Sequence, residues 1–506
     1  MPLDPIRKLV IVGGGTAGWM CAALMAKLMR THTQNPLDIE LVESDDIGTI
    51  GVGEATIPAI KTFNRLLGFD ETEFIRATQG TFKLGIEFTG WGDPDASYIH
   101  GFGKIGQDLG WLRMHQYWLK MRGSGRVPED FAAYSINTEA AYAGRFMRSR
   151  PDMKDSPLSE IAYAYHFDAG LYARFLRRLA EGWGVRRTEG KVAHVEQRAE
   201  DGFITAIVLE SGARIDGDLF LDCSGMHALL IEKTLKSGFE PYTDVLPCDR
   251  AVAVPCSNAP QLLPYTRSIA RKAGWQWRIP LQHRIGNGHV FSSAFISEDE
   301  AVATLMDNLD GEPLAEPRVI RFTTGRRRKS WLGNVVAIGL ASGFMEPLES
   351  TSIHMIQSGI LRLVALWPDR ACAAVHRDSF NTQTEFEYTR IRDFLVAHYH
   401  LNGRVGEPMW DHCRHMAIPD TLKTKLADFG AYGRVFKVHD ELFAEESWIQ
   451  VLIGQGLIPE AYDPAVDLKD EATIVRYLND IAGVIKKCVA VMPPHGDYID
   501  KTCKAA

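Results

Sequence analysis

The feature that most constrains this 506-residue chain is a glycine-rich run directly after a short apolar segment near the N-terminus. Lys8–Val12 is rich in branched aliphatic side chains, which is typical of a buried parallel strand. Residues 13–18 read GGGTAG, and residues 19–29 are rich in Ala, Leu and Met, which predicts a helix. Because Asp38–Glu43 has the pattern of a second strand, this region predicts the strand–helix–strand start of an α/β domain.

The spacing of the glycines gives this turn a chemical meaning. In G-x-G-x-x-G, Gly13 permits the tight turn, Gly15 lets a pyrophosphate approach the backbone, and Gly18 allows close packing of helix and strand. Phosphates bind at the helix N-terminus, and an acid at the end of the second strand can bind a ribose hydroxyl. The predicted dinucleotide-binding residues are Gly13, Gly15, Thr16, Ala17, Gly18 and Glu43. The motif alone leaves FAD and NAD open.

Composition and charge exclude several classes of protein. Hydrophobic residues make up 45% and charged residues 24% of the chain, which is typical of a globular protein. With 56 basic and 64 acidic side chains the net charge is -8, so we expect neither nucleic acid nor an anionic membrane as a partner. No run approaches the roughly 20 apolar residues that span a bilayer. The N-terminus has no pattern of an export signal.

The cysteines favour a reduced, cytoplasmic protein. The 8 cysteines are scattered and none forms a C-x-x-C pair, so their spacing fits neither a zinc site nor a disulfide framework. Residues 411–415 crowd several metal-capable side chains, but at irregular spacing. We therefore predict no metal site.

Two further strands that end at glycine favour FAD. Ser224-Gly225 follows a predicted strand at residues 219–222, and residues 339–343 follow another at 333–339. Both suit one FAD extended across a single lobe, whereas no second G-x-G-x-x-G is present for a nicotinamide cofactor. Residues 190–222 read as a β meander, residues 246–295 as mostly strand, and the chain from Thr351 to about Ile485 as mostly helix.

Three further motifs carry chemistry, although each also has a plain structural explanation. Trp275 and Trp277 are two residues apart and share one face of a predicted strand. Glu346 and Glu349 precede hydroxyl-bearing residues that could simply cap a helix. Lys83 lies between apolar neighbours, where a lysine usually extends its charge to solvent. From the residues alone, both interpretations stay open for each motif.

In combination, these motifs resemble the flavin-dependent tryptophan halogenase family. The N-terminal G-x-G-x-x-G, the W-x-W-x-I-P of residues 275–280 and the EPLEST of residues 346–351 occur in the family's order. The resemblance covers nearly the whole chain and includes GVGEAT at 51–56, RDF at 392–394 and HY at 398–399. The chain looks most like the indole-brominating members that lack a Tyr-Tyr substrate anchor.

The resemblance implies a fold and a reaction. The fold class would be α/β: a Rossmann-type FAD-binding core, as in glutathione reductase and flavin monooxygenases, with a β-sheet substrate lobe and a C-terminal helical part. Residues 1–355 would form the core with its interleaved lobe, and residues 356–506 would form the helical part that caps the substrate site. Such enzymes receive FADH2 from a separate flavin reductase and use O2 to convert halide into hypohalous acid, which then reaches a separate substrate pocket.

The resemblance also assigns the two catalytic side chains. Lys83 matches the family's essential lysine, which either donates a hydrogen bond to hypohalous acid or forms a haloamine; burial would lower its pKa and favour the second route. Glu349 matches the glutamate near that lysine, which would polarise the electrophile or stabilise the arenium ion and accept its proton. Glu346 is the less favoured candidate for this role.

Halide and flavin contacts follow from the same resemblance. Thr351 and Ser352 match the halide-binding pair, whose backbone N–H groups bind the ion. Many tryptophan halogenases have glycine where this chain has Ser352, so a positive φ there would strain the serine and change halide choice, with bromide favoured over chloride. The implied flavin contacts, besides the glycine motif, are Ala55, Val192, Leu340 and Ile353.

The substrate side shows one departure from the family. His100 and Phe102 resemble the wall that sandwiches the indole, while Trp275 and Trp277 resemble the indoles that keep substrate away from the flavin. The family's Tyr-Tyr pair is absent from the C-terminal region, where the similar stretch contains Trp448 and Ile449, which we assign to the substrate pocket. A bare indole, another electron-rich arene or an indole within a larger molecule is therefore expected rather than free tryptophan.

Two rival functions remain open at this stage. A single-component flavin aromatic hydroxylase would share the flavin fold, but Gly339-Leu340 stands where such enzymes usually have a G-D motif, and Lys83 would have no role. A catalytically silent flavin-binding protein is the other rival, against which the presence of both Lys83 and Glu349 speaks. A homodimer is a further possibility that the sequence leaves open.

Overall fold

The computed structural model describes residues 4–30, 36–47 and 53–505. Gly51 and Val52 of the GVGEAT run lie outside the described residues. The strands are β1 (Lys8–Val12), β2 (Asp38–Glu43), β3 (Gly53–Ala55), β4 (Thr81–Lys83), β5 (Gly85–Thr89), β6 (Ser97–Gly101), β7 (Ala164–Asp168), β8 (Arg186–Glu189), β9 (Val192–Gln197), β10 (Ile204–Leu209), β11 (Arg214–Asp216), β12 (Leu219–Asp222), β13 (Phe239–Pro241), β14 (Arg250–Cys256), β15 (Thr266–Arg271), β16 (Gly274–Pro280), β17 (Ile285–Phe291), β18 (Arg318–Arg321), β19 (Gly325–Arg327), β20 (Trp331–Leu332), β21 (Val335–Ala337) and β22 (Gly343–Phe344).

The α-helices follow the same chain order. They are α1 (Thr16–Met25), α2 (Ile60–Leu67), α3 (Glu71–Ala77), α4 (Met114–Met121), α5 (Ile136–Tyr142), α6 (Ala169–Gly182), α7 (Glu298–Met306), α8 (Ser352–Ala365), α9 (Ala374–His400), α10 (Pro408–His415), α11 (Asp420–Tyr432), α12 (Glu445–Gly454), α13 (Glu471–Ala490) and α14 (His495–Thr502). The first predicted helix therefore begins earlier than expected, and a π-helical turn (Ala26–Arg30) extends α1.

A six-stranded sheet positions the glycine turn. Its order is β20-β21-β12-β1-β2-β8, and all neighbours except β20 and β21 pair in parallel. β1 lies in the middle with four of its five residues buried, which explains its unbroken apolar pattern. The predicted meander is wrong in one part: β9, β10 and β11 form their own antiparallel sheet, whereas β12 joins the parallel sheet beside β1.

A seven-stranded sheet forms the second lobe, in the order β18-β14-β17-β16-β15-β5-β6. It contains the tryptophan motif on β16, between β15 and β17. A three-stranded sheet, β3-β7-β4, lies between the two lobes, and the last residue of β4 is Lys83. The α/β fold class with a β-sheet lobe and a helical C-terminal part is thus confirmed.

The helical C-terminal part packs against both lobes. Residues of α13 and α14, such as Ile485 and Ile499, join the apolar core around α1, while α9 to α12 pack on the seven-stranded sheet. Helix α8 runs on across the proposed boundary at residue 355, and the division into two domains stays a prediction. All eight cysteines are free thiols, and Cys21 and Cys223 lie 3.8 Å apart between their Sγ atoms. Within the described ranges, no helix is both long and apolar enough to cross a bilayer.

Candidate active site

The glycine turn presents an open cradle at the start of α1. The first hydrogen bond within the helix runs from the Trp19 N–H to the Gly15 carbonyl. The N–H groups of the first turn, residues 16–18, therefore have no acceptor within the helix and can bind an outside one. A Cβ on Gly13 (φ +114°) would lie 2.3 Å from the Cys223 carbonyl oxygen, and one on Gly18 would lie 1.8 Å from that of Gly13. A Cβ on Gly15 would meet no atom of the described residues within 4 Å. The space beside Gly15 fits a phosphate.

The remaining predicted nucleotide contacts surround this cradle. The Glu43 carboxylate lies against Gly14 and accepts a hydrogen bond from the Arg187 guanidinium at 2.6 Å. The Gly190 N–H donates to the Glu43 carbonyl, which places the start of β9, and therefore Val192, beside it. A 3-10 turn contains Leu340 and packs against Ala17, and Ile353 is buried in α8. The structure brings these predicted FAD contacts together, whereas Ala55 lies on β3 in the sheet that carries Lys83.

Lys83 is completely buried, so the usual solvent-directed lysine is ruled out. Its Nζ donates a hydrogen bond to Ser350 Oγ at 2.7 Å and lies 5.4 Å from the centre of the Phe102 ring. Burial lowers the pKa of Lys83 to about 7, although the negative charge of Glu349 acts in the other direction and raises it. Near neutral pH the side chain therefore has both ammonium and amine forms available.

Glu349 is buried between two histidines. Nδ1 of His100 lies 3.0 and 2.9 Å from the two carboxylate oxygens, and Nε2 of His398 lies 3.0 Å from Oε1. Burial alone would raise the pKa of Glu349, but the two imidazoles hold it below its usual range. From the sequence, Glu349 was expected near Lys83, whereas its contact with His398 was not expected.

His398 is oriented by its own helix so that its ring faces Glu349. Nδ1 of His398 lies 2.8 Å from the Phe394 carbonyl, which can only accept, so Nδ1 carries a hydrogen. Nε2 then faces the carboxylate at 3.0 Å, although the contact lacks hydrogen-bond geometry. The ring therefore closes the side of the Glu349 carboxylate opposite His100.

The backbone strain predicted for Ser352 lies two residues earlier. Ser350 has φ 58° and ψ 37°, in the left-handed region, whereas Ser352 is the first residue of α8 and has no positive φ. Ser352 is therefore not strained in the predicted way. The left-handed residue ends the 3-10 turn Pro347–Glu349 and presents its hydroxyl to Lys83. Only the position of Ser350 between Glu349 and Thr351 could have indicated this role.

Glu346 belongs to a separate buried network. Its Oε2 accepts hydrogen bonds from the Trp275 indole N–H at 2.9 Å and from the Tyr399 hydroxyl, while its Oε1 is buried with no partner in the part of the chain that the structure describes. Burial raises the pKa of Glu346 to about 7. Trp275 and Trp277 are both buried with ring centres 6.2 Å apart. Glu346, the first glutamate of EPLEST, thus fixes the tryptophan motif through its hydrogen bond with Trp275.

Two neutral histidines support the strand that carries Lys83. Nε2 of His495 accepts from the Phe82 N–H at 3.2 Å, and its Nδ1 donates to the Leu262 carbonyl at 3.0 Å. Nδ1 of His166 lies 2.8 Å from the Thr81 hydroxyl. Burial lowers the pKa of His495 to about 4 and that of His166 well below its ordinary value. Neither of these two histidines therefore adds a positive charge beneath the lysine.

The predicted substrate-pocket residues are all buried. His100 reaches Glu349, Phe102 faces the Lys83 amine, and Trp448 packs edge-on against Phe394 with ring centres 4.7 Å apart. Ile449 borders a small cavity under α12. In the part of the chain that the structure describes, no group of three or more His, Cys, Asp or Glu side chains is arranged to hold a metal.

Comparison with known proteins places this arrangement in a family. The model of the tryptophan halogenase family matches residues 8–471. Tryptophan 7-halogenase RebH of Lentzea aerocolonigenes is 35% identical over 520 residues, which cover 95% of each chain. Xcc4156, a flavin-dependent halogenase from Xanthomonas campestris, is similar in structure with a TM-score of 0.95 and 46% identity over 99% of each chain.

A second solved structure, BrvH, a flavin-dependent halogenase from Brevundimonas sp. BAL3, gives a TM-score of 0.94 and 47% identity over 98% of this chain and 99% of that one. The class defined by fold and site is that of the flavin-dependent halogenases. The chain belongs to the tryptophan halogenase family and is an enzyme of that class.

Proposed function

We propose that this protein is an FADH2-dependent halogenase that uses O2 and halide to halogenate an electron-rich, indole-type arene through Lys83. The observation that carries the proposal is the wholly buried Lys83 amine, held by the Ser350 hydroxyl at 2.7 Å. A lysine pays a desolvation cost at such a place, which is the usual condition of a functional lysine.

Lys83 delivers the halogen to the ring. As the ammonium it donates a hydrogen bond to hypohalous acid and orients the halogen. As the amine it attacks the halogen, so that an N–halogen bond forms, the O–halogen bond breaks and water leaves. A pKa near 7 makes both forms available at neutral pH, and Phe102 at 5.4 Å from Nζ marks the direction of the arene.

Glu349 accepts the proton that the arenium ion loses. A carboxylate held below its usual pKa is negative at neutral pH and stabilises the cationic ring before deprotonation. His100 and His398 contact the same carboxylate from two sides and hold it in place. We assign Glu346 a structural role, because its Oε2 is already bound by Trp275 and Tyr399.

Reduced FAD, when bound, supplies with O2 the oxidising equivalent that converts halide into hypohalous acid. The residues that would hold it are Gly13, Gly15, Thr16, Ala17, Gly18, Glu43, Ala55, Val192, Leu340 and Ile353. A separate flavin reductase would deliver the FADH2. Trp275 and Trp277 keep the arene away from the flavin.

Thr351 and Ser352 are the proposed halide-binding pair. The Met355 N–H bonds to the Thr351 carbonyl, so the earlier N–H groups of α8 precede the helix's own hydrogen bonds and can bind an anion. We also propose a preference for bromide over chloride, because Ser352 stands where many tryptophan halogenases have glycine; backbone strain no longer supports it. Equimolar bromide and chloride in one reaction, with both products counted, tests it.

The proposed substrate is an indole-type arene other than free tryptophan. Its support is the stretch around Trp448 and Ile449, which offers no phenol pair to the polar end of an amino acid. We also propose a cytoplasmic location, a possible homodimer, and a division at residue 355 with residues 356–506 capping the substrate site. Size-exclusion chromatography with light scattering tests the homodimer.

Product mass spectrometry tests the function. The reaction contains the protein, FAD, NADH, a generic flavin reductase, O2 and bromide or chloride, with indole and tryptophan in separate vessels. We expect a mono-halogenated product, more from indole than from tryptophan, that is lost in Lys83→Met and strongly reduced in Glu349→Gln. Lys61→Met is the control, because it removes a lysine that is partly buried and lies over the Tyr163 ring.

Two results would contradict the proposal. A hydroxylated product without halogen, or rapid NADPH oxidation without reductase, would favour the hydroxylase. FAD binding without product over a broad panel of arenes would favour a silent flavoprotein.

A further inference from the structure

Two residues at the end of strand β6 form a wall of the proposed substrate pocket. His100 contacts the Glu349 carboxylate at 2.9 Å, and the Phe102 ring centre lies 5.4 Å from the Lys83 amine. We call His100 and Phe102 the substrate wall. Gly101, the last residue of β6, lies between them. The position of the Gly101 backbone therefore sets where both wall side chains stand relative to the two catalytic groups.

Gly101 lies at the edge of a sheet. β6 is the last strand in the order of the seven-stranded sheet and pairs with β5. The Phe102 N–H points toward the β5 side and donates to the Leu84 carbonyl at 2.8 Å. Backbone groups of successive residues point to opposite sides of a strand. The N–H and carbonyl of Gly101 therefore point away from the sheet, where a further strand would pair.

The buried side chain of Gln450, on α12, takes the place of that further strand. Its Oε1 accepts from the Gly101 N–H at 3.1 Å, and its Nε2 donates to the Gly101 carbonyl at 2.9 Å. The Nε2 also donates to the Glu446 carbonyl at 3.2 Å. Because a carbonyl can only accept, these contacts define which amide atom is the nitrogen. We call the two bonds between Gln450 and Gly101 the Gln450 clamp.

The neighbouring helices hold the Gln450 clamp at a fixed place. Gln450 and Gly454 are four residues apart and share one face of α12. A Cβ on Gly454 would lie 2.3 Å from the Tyr98 ring, so the helix is in close contact with β6 there. A Cβ on Gly101 would lie 2.4 Å from the Thr138 Oγ of α5. Gly101 is thus held between α5 and α12.

Beside the Gln450 clamp, the edge of β6 borders a cavity. The cavity has a volume of about 540 Å³, lies between β6, α5 and α12, and has both Gln450 and Thr138 in its lining. In a close-packed core a side chain cannot move without moving its neighbours, whereas a strand edge beside a cavity has room to shift. The hydrogen bonds of the clamp therefore replace core packing as the interaction that fixes the substrate wall.

We propose that Gln450 is a positioning residue that determines regioselectivity: through Gly101 it fixes the substrate wall and thereby the ring carbon of the arene that lies at Lys83. Electrophilic attack takes place at the carbon nearest the transferred halogen, and a displacement of about 1 Å at a reacting centre changes a rate by as much as about a hundredfold. The inference rests on the proposed function and adds a residue that selects its product.

The isomer ratio of the product tests the inference. The substrate is 3-methylindole, which is blocked at C3 and has several other ring carbons that can be halogenated. Gln450→Met removes both bonds of the Gln450 clamp at nearly unchanged size, whereas Gln450→Glu keeps the acceptor for the Gly101 N–H. We expect Gln450→Met to change the ratio of the two main isomers about fivefold and to raise KM for the arene more than it lowers kcat. Gln450→Glu should lie between Gln450→Met and the wild type.

Gln116→Met is the matched control. Gln116 is also buried, donates to the Tyr432 and Gly433 carbonyls at 2.9 and 3.1 Å, and accepts from the Asp463 N–H at 2.7 Å. Its replacement should cost a similar free energy of unfolding in urea and keep the wild-type isomer ratio. Hypohalous acid trapped by a small thioether should stay near the wild-type amount in both variants. An unchanged ratio in Gln450→Met, the same change in Gln116→Met, or loss of trapped hypohalous acid in Gln450→Met would overturn the inference.

A binding measurement separates this inference from the proposed function. 3-Methylindole is titrated calorimetrically into FAD-loaded Lys83→Met protein with and without Gln450→Met. The Kd should rise about fivefold when the Gln450 clamp is removed, even if no arene is ever halogenated, and Gln116→Met should leave it unchanged. Equal Kd values with and without the clamp, or no binding to Lys83→Met itself, would overturn the inference. A raised Kd without halogenated product from the wild type would overturn the proposed function alone.

Discussion

Removing the hydroxyl group of Ser350 should reveal both its bond to Lys83 and its own backbone strain. Ser350→Ala removes the 2.7 Å bond to the buried Nζ but keeps the left-handed backbone at φ 58°. Ser350→Gly removes the same bond and relieves the backbone, since glycine adopts positive φ at little cost. The two variants therefore differ mainly by the strain.

The magnitudes follow from the state of Lys83. A buried ammonium that loses its acceptor costs about 1.5–3 kcal/mol, whereas a neutral amine costs about 1 kcal/mol. With the lysine pKa near 7, Ser350→Ala should therefore destabilise the protein more at pH 6 than at pH 8.5. Ser350→Gly should be more stable than Ser350→Ala by about 1 kcal/mol at both pH values.

Urea unfolding followed by tryptophan fluorescence measures these differences. Lys236 is the matched control, because it has φ 56° and is exposed, so glycine should exceed alanine there by the strain alone. Equal stability of the wild type and Ser350→Ala at pH 6 would refute the assigned bond. A Ser350→Gly variant less stable than Ser350→Ala would refute the strain.

Three further predictions concern other parts of the site. Gly15→Ala should leave the thermal midpoint of the FAD-free protein unchanged and weaken FAD binding in a fluorescence titration. Gly13→Ala should lower the thermal midpoint, because the new Cβ would lie 2.3 Å from a carbonyl oxygen. The reverse pattern would contradict the assignment of Gly15 to the phosphate cradle. The pKa of Glu346 is about 7 in the folded protein and 4.5 in the unfolded chain, so its protonation stabilises the fold fully below pH 4.5 and this stabilisation is lost as pH rises through 7. The free energy of unfolding in urea should therefore fall across this window in the wild type and not in Glu346→Gln. His495→Phe should lower kcat for halogenation more than KM and change its pH profile, because the Phe82 N–H beside Lys83 loses its acceptor; an unchanged pH profile would indicate a purely structural role.

Local pattern was enough to predict the elements of the nucleotide site. β1, β2, β10 and β12 begin and end where the branched apolar runs do, because a buried strand needs apolar side chains on both faces. The neighbours of β12 could not be predicted in the same way. Its pairing with β21 joins residues more than a hundred positions apart, and a short apolar strand carries no local mark of its partner.

The residues around Lys83 show the same limit. EPLEST was found as a motif, but the left-handed turn that aims Ser350 at the lysine comes from packing, since serine has no preference for positive φ. His398 lies on α9, and its contact with Glu349 depends on where the helix crosses the sheet. Such contacts between distant elements are set by tertiary packing.

The central claim is that Lys83 transfers the halogen rather than making it. Its most direct test is one reaction in Lys83→Met in which hypohalous acid, trapped by a small thioether, and halogenated arene are both quantified. The account predicts that trapped hypohalous acid stays near the wild-type amount while halogenated arene disappears. Halogenated arene at wild-type regioselectivity, or loss of the trapped hypohalous acid itself, would contradict it.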